Sequence, residues 1–323
     1  MAESDFIVGG AGFIGSHFIQ YLLSDPLTGQ VTIYDNMSSG REWHFSDHLS
    51  DPRFKFVRGE AEDLPTLTGA MRGHETVIHL ASNPDIAKAQ TNPTIDFYQG
   101  TLLTQQVVEA MRQSGATTIL YASGSGVYGD LGETEAREVD SIGLPISTYG
   151  ASKLAGEALI SSYCFMFGLR GRSFRFGNVV GPRQTHGVGF DFLRRLIVDP
   201  NGLDILGDGR QSKSYIHVND VVSAVLTAHR ISEKPYDVYN VATGDYVTVT
   251  EIANLATEVL GLKSEGAMFR YSGGDRGWKG DVPVVRLATD RIRQLGWRCR
   301  YSTREAMLEA MRSMIVYIRS GLM

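Results

Sequence analysis

Cysteine is scarce: the 323 residues contain only Cys164 and Cys299. The two stand far apart in apolar or mixed surroundings. They make neither a disulfide framework nor a thiolate metal cluster, and a reducing compartment is expected. No spacing of His, Cys and carboxylates suggests a metal site. The chain has no apolar run of about eighteen residues and does not open on a basic segment followed by an apolar core, so neither a membrane span nor a secretory leader is predicted. Excess charge is also missing. The net charge is -5, from 31 basic and 36 acidic residues mixed along the chain, which excludes a basic nucleic-acid face and a charged tail. No internal repeat is present. These absences predict a soluble cytoplasmic protein with no nucleic-acid or membrane partner. Its length allows a sizeable core, in one large domain or one domain with a smaller companion.

Glycine is plentiful, with 36 residues, and its most informative cluster runs from Ile7 to Gly15, IVGGAGFIG. This stretch reads as a short apolar strand, a tight turn, and the first turn of a helix carrying His17 to Leu23. A chain that turns sharply and brings its amides up to a pyrophosphate cannot carry side chains at Gly9, Gly12 and Gly15. The helix N-terminus adds free N–H groups and a positive dipole end. A second strand, VTIYD, ends at Asp35, twenty residues beyond Gly15. A carboxylate there accepts hydrogen bonds from adenosine ribose hydroxyls and repels a 2'-phosphate, and NMSSG supplies no basic side chain before Arg41. NAD is therefore favoured over NADP.

Further strands are predicted at 53–59, 76–82 and 117–123, with a strand and then a loop over 170–182, alternating with helices after residue 60, at 95–114 and at 148–167. The run at 76–82, TVIHLAS, is almost continuously apolar, as a buried parallel strand should be. The alternation predicts an α/β fold: a doubly wound parallel sheet with right-handed crossovers. Strand ends in such a sheet line the ligand crevice, which places Leu80, Ala81 and Ser82 near the cofactor and lets Glu60 and Ala61 flank the adenine. The remainder interleaves short strands with helices, one capped by Asn219 or Asp220 and one closed by Gly261. The helix over 303–318 sets Ala306, Ala310, Met314 and Tyr317 on one apolar face, its methionines filling core. A boundary near residue 180 separates a cofactor domain, 1–180, from a smaller substrate domain, 181–323, some of whose elements return to the first.

Outside the glycine turn the most informative pair is Tyr149 and Lys153, in STYGASKLAGE. Four residues apart on a helix, they share a face. A lysine ammonium beside a phenol favours the phenolate, which can take the proton from a carbinol while hydride leaves for a nicotinamide. His79, inside a strand, and His217 are read as satisfied core histidines.

With these residues in place, the sequence resembles the extended short-chain dehydrogenase/reductase family, in its NAD-dependent nucleotide-sugar epimerase/dehydratase group, over essentially the whole chain. The matching pieces are VGGAGFIGS, YDNMSSG, HLAS, SGSGVYG, YGASK, RFGNVVGPR, GDGRQSKSYIHVNDV, YNVAT and RGWKGDV. The segments RQTHGV and RGWKGDV look most like the UDP-galactose 4-epimerase-like subgroup. The resemblance implies a Rossmann domain, NAD as cofactor and a nucleoside-diphosphate sugar as substrate. It adds Phe13, Ile14, Asn36, Ser38, Ser39 and Gly40 to the cofactor residues, along with Tyr149 and Lys153 themselves. It places Asn178, Gly187, Val188, Lys213 and Arg276 on the nucleotide side, and Ser82, Asn83 and Phe176 around the hexose.

The family carries a serine or threonine where this chain has Gly124, which leaves Ser125 or Ser123 to supply that hydroxyl. The family's frequent asparagine in the helix before the fifth strand falls at Gly100. The acid pair of the 4,6-dehydratases would fall at Ser125 and Gly126 and is missing. What remains is 4-epimerisation with Tyr149 as base, or a single-pass ketoreductase or dehydrogenase of the same fold, or an NAD-binding protein without chemistry. The helices at 95–114 and 148–167 resemble the pair that builds the family's homodimer, with Leu102, Leu103, Val107, Leu159 and Phe165 facing outward.

Overall fold

The computed structural model describes residues 3–139, 144–262 and 268–321. In chain order the first elements are β1 (Asp5–Val8), α1 (Phe13–Ser24), β2 (Val31–Asp35), β3 (Phe54–Arg58), α2 (Leu64–Met71), β4 (Thr76–His79), α3 (Leu103–Ser114), β5 (Thr118–Gly124) and α4 (Thr148–Phe167). Then come β6 (Arg170–Phe176), β7 (Asn178–Val180), α5 (Val188–Val198), β8 (Gly202–Ile205), β9 (Ser212–Lys213), β10 (Tyr215–His217) and α6 (Val218–Ile231). The chain closes with β11 (Tyr236–Val241), β12 (Val247–Thr248), α7 (Val249–Leu260), β13 (Met268–Tyr271), α8 (Asp290–Gln294) and α9 (Thr303–Arg319).

The chain forms two compact units. One comprises Met1–Val127, Thr148–Arg175 and Val225–Tyr239, the other Tyr128–Ser147, Phe176–Ala224 and Asn240–Met323. The large sheet has the order β11-β6-β5-β4-β1-β2-β3. β1 pairs in parallel with both β2 and β4, β2 with β3 and β4 with β5 in the same sense. Every residue of β1, β2 and β4 is buried, because helices cover both faces of such a sheet, and most of those residues are apolar. The strand order reverses between β1 and β4, the place where a sheet of this kind opens a ligand crevice beyond its strand ends. This is the doubly wound Rossmann-like sheet that the alternation predicted.

The core of the first unit joins Phe6, Val8 and Val77 of the sheet to Leu67, Met71, Val107, Met111 and Ile160 of its helices. The second unit packs Phe192, Leu193 and Leu196 of α5 and Ile252 and Leu255 of α7 against Met307, Met311 and Met314 of α9. Those three methionines are fully buried, in the filling role expected of them. α7 starts at a Thr248/Glu251 capping box and ends at Gly261, φ 68°. α9 starts at a second box, Ser302 with Glu305.

Three expectations are corrected. Val107, read as facing outward, is fully buried, because it lies on the face of α3 that covers the sheet. α6 begins at Val218, so Asn219 and Asp220 lie inside its first turn rather than at its cap. The buried Asp220 carboxylate instead accepts from the backbone of Arg300 and Tyr301. The helix expected over 95–114 contains a π-helical turn, Phe97–Leu102. Gly100 lies in that turn, where a Cβ would stand 2.6 Å from the Ser152 hydroxyl on α4. Glycine at 100 thus serves the close approach of two helices.

Candidate functional site

The glycine turn leaves β1 at Gly9, whose φ is +82° and whose Cβ, if it had one, would stand 2.6 Å from the Ala81 nitrogen. A side chain at Gly15 would collide with the Gly10 carbonyl. Gly12 is different. Its φ is −80°, and a Cβ would meet nothing nearer than the Gly9 carbonyl at 3.4 Å. The protein's own packing does not demand glycine at 12, so the bare backbone there is left for something to approach. Gly12 is also the N-cap of α1 and offers no side-chain cap. The amides of Phe13, Ile14 and Gly15 therefore present an uncapped, positive helix end.

Asp35 supports this turn from β2. Its Oδ2 accepts from the Ala11 amide at 3.0 Å and its Oδ1 from the Met37 amide at 2.8 Å. Each oxygen keeps lone-pair capacity for a further donor, such as a ribose hydroxyl. Burial raises its pKa and the two amides pull it back. Asn36 accepts from the Ser38 amide and donates to Glu60, joining the ends of β2 and β3. Ser38 and Ser39 are exposed, Gly40 is buried and Ala61 is half-buried. A dinucleotide fits this donor and acceptor set: anion at α1, ribose at Asp35.

Beyond β4, the amides of Leu80 and Ala81 both donate to the Val8 carbonyl, which holds the strand end against β1. The Ser82 hydroxyl oxygen is buried and makes no hydrogen bond of good geometry among the described residues, although it lies beside the Tyr149 phenol. Asn83, expected beside a hexose, is 3% exposed. Its amide donates to Asp85 and Asp96 and accepts from the Asp85 amide, so it is spent on its own loop. Asp96 is 1% exposed and takes the Thr148 hydroxyl at 2.6 Å on its other oxygen. Asn83, Asp96 and Thr148 thus bridge the end of β4 to the start of α4.

On α4, Tyr149 is half-buried and Lys153 is 3% exposed. The lysine donates to the Ala122 carbonyl on β5 at 2.7 Å. Its nitrogen lies 5.1 Å from the centre of the Tyr121 ring and 5.5 Å from that of Tyr149. The expected easing of the phenol toward phenolate is not found in the protein alone. Burial pushes Tyr149 up to about 12, the Ser82 hydroxyl pulls it down, and the Asp96 carboxylate raises it. Burial lowers Lys153 to about 7 against the pull of Asp96 and Glu157. The reason is burial, which penalises the phenolate and the ammonium alike.

Ser123 donates to Glu157 at 2.5 Å, and Glu157 is clamped by Arg175 at 3.0 and 2.7 Å. Ser125 sits half-buried in the turn after β5. At Gly124 a Cβ would meet nothing within 4 Å. His79, fully buried, pairs with Thr104. Asp96, Glu157 and Arg175 are not among the residues that the sequence motifs point to. Glu157 follows Lys153 by the same four residues that separate Lys153 from Tyr149, and Arg175 is a buried charge in β6. Either could have drawn notice.

In the second unit, Asn178 is exposed at the start of β7, with its amide on the Ser214 carbonyl. Phe176 is 6% exposed. Gly187, φ 101°, is the N-cap of α5 and Val188 its first residue. Lys213 and Arg276, expected at a diphosphate, are both paired with carboxylates. Lys213 binds Asp281 at 2.6 Å, and Arg276 binds Asp130 at 2.6 Å as well as the Asp281 carbonyl. His217 pairs with Glu309. Among the described residues no group of His, Cys, Asp and Glu is arranged to hold a metal, and no helix is long and apolar enough to cross a membrane.

Comparison with known proteins agrees with this architecture. The model of the NAD dependent epimerase/dehydratase family matches residues 6–242. A putative UDP-glucose 4-epimerase of Methanocaldococcus jannaschii is 28% identical over 307 residues, 93% of this chain and 95% of that one. A crystal structure of a UDP-galactose 4-epimerase is 34% identical with a TM-score of 0.86, covering 98% of this chain and 99% of its own. The UDP-glucose 4-epimerase of Thermus thermophilus, in complex with NAD, is 29% identical with a TM-score of 0.84, over 97% and 99%.

Proposed function

The chain belongs to the NAD dependent epimerase/dehydratase family, and from that premise we propose that it is a nucleotide-sugar 4-epimerase of the cytoplasm that works with NAD. One observation carries the reading: Lys153 and Tyr149 lie one turn apart on α4, with the lysine buried and fixed to the end of β5, in the same unit as the open glycine turn. When bound, NAD supplies a reversible two-electron acceptor for the sugar carbon. The chain's own residues do the rest. The α1 amides and Gly12 hold the pyrophosphate, and Asp35 holds the adenosine ribose. Lys153 holds the nicotinamide ribose. Tyr149 takes the proton of the C4 hydroxyl and returns it. A positive charge arriving beside Tyr149 supplies the pull toward phenolate that the protein lacks by itself.

Lys213 and Arg276 meet the sugar's diphosphate by exchanging one anion for another, the arginine as a fork and the lysine as a point charge. Asn178, Gly187, Val188 and Phe176 complete the nucleotide and hexose side. The relatives' names support UDP-glucose and UDP-galactose as substrates. Phe165 and Met166, each 72% exposed on α4, and Phe97, 54% exposed beside α3, support a homodimer through the helices at 95–114 and 148–167.

The test is a panel of UDP-, dTDP-, CDP- and GDP-sugars incubated with the protein and resolved by chromatography. A diastereomeric nucleotide sugar with no net change in reduced dinucleotide is expected, and Tyr149→Phe should abolish it. A keto or reduced product formed in step with a change in dinucleotide would replace this reading by single-pass redox chemistry.

A further inference from the structure

We propose that the Ser82 hydroxyl is a catalytic group, hydrogen-bonding the sugar oxygen whose proton Tyr149 takes. The inference rests on the epimerase reading and names the donor at its reacting oxygen.

It starts from a cost. A buried hydroxyl without a partner is unfavourable, and a protein that retains one normally has a use for it. The Ser82 oxygen makes no hydrogen bond of good geometry among the described residues, and the group beside it is the Tyr149 phenol. Its place is fixed on both sides. Before it, Leu80 and Ala81 are pinned to the Val8 carbonyl. After it, Asn83 reaches Asp96, and Asp96 takes the hydroxyl of Thr148, the residue preceding Tyr149. The bridge therefore seats Ser82 and Tyr149 as chain neighbours of its two ends, and the Ser82 hydroxyl lies close enough to the phenol to affect its titration.

The other candidates are less suited. Ser123 donates its hydroxyl hydrogen bond to Glu157, and position 124 carries no hydroxyl. Ser125 lies half-buried in the turn after β5, outside the bridge that joins the end of β4 to the start of α4.

A hydroxyl both donates and accepts. Ser82 can donate to the sugar oxygen as negative charge develops there, while the phenolate of Tyr149 receives the proton. No bond to Ser82 forms or breaks. A single positioned donor of this kind contributes about 100-fold in turnover.

The experiment compares wild type with Ser82→Ala, Ser82→Thr and Ser125→Ala on the nucleotide sugar that the wild type epimerises, measuring kcat, KM, bound NAD and thermal stability. Ser82→Ala should lose about 100-fold in kcat. Its NAD content should hold, and its thermal stability should stay close to that of the wild type. Ser82→Thr should retain most of the turnover, and Ser125→Ala should lose little. Turnover of Ser82→Ala within about twofold of an active wild type overturns the assignment alone. So does a loss in Ser82→Ala that tracks lost NAD or lost folding. A wild type that turns over no nucleotide sugar overturns the epimerase reading itself and takes this assignment with it.

Discussion

Substituting Glu157 should be among the most destabilising single changes in the first unit, and the size of the effect follows from its surroundings. Its side chain is 5% exposed and that of Arg175 is 2%. The two exchange a forked pair of hydrogen bonds at 3.0 and 2.7 Å, and Ser123 adds a third at 2.5 Å. Glu157→Ala removes the anion and leaves a desolvated guanidinium in place. Breaking a buried pair from one side costs about 3–5 kcal/mol, against a total stability of about 5–15 kcal/mol. Replacing both partners by apolar residues of similar size, Glu157→Met with Arg175→Met, avoids the stranded charge and should recover most of that loss. Urea unfolding followed by circular dichroism reads the difference. If the two units unfold separately, only the transition of the unit holding both residues should move. A cost below about 1 kcal/mol for the single variant, the range of an exposed pair, would refute the reasoning. So would a double variant no more stable than the single one.

Two further perturbations separate ligand binding and titration from packing. Gly12→Ala should fold with stability close to wild type, since its Cβ meets only an ordinary contact, yet lose NAD affinity by about tenfold or more through blocked backbone approach. Gly9→Ala should lose both, and calorimetry with NAD titration tells the two apart. Asp5, 5% exposed, has its carboxyl pushed from 3.8 to about 7 by burial, with Glu3 and Glu75 adding to the rise. Its folded-state pKa lies above the unfolded one, so stability falls as pH rises from about 4 to about 7 and the full penalty stands above that. Asp5→Asn should therefore stabilise the protein at pH 8 by at most about 4 kcal/mol and change little near pH 4. Equal effects at both pH values would contradict the shift.

The sheet was legible because β1, β2 and β4 are buried on both faces and so are mostly apolar. The cofactor turn was legible because its chemistry is local: strand, glycines and helix end lie within one short stretch, and Asp35 ends the next strand. The π-helical turn at Gly100 was not, since it answers to Ser152 on another helix. The bridge from Asn83 through Asp96 to Thr148 and the clamp of Arg175 on Glu157 join residues distant in sequence, and no spacing announces them. The phenol of Tyr149 shows the same limit. Its spacing to Lys153 was readable, but its titration depends on burial.

The most direct measurement follows a nucleotide sugar carrying deuterium at C4 through the reaction. The account predicts that the 4-epimer forms with the deuterium retained at C4 and with no net gain in reduced-dinucleotide absorbance. Deuterium lost to solvent, or a rise in that absorbance in step with a keto product, would contradict it.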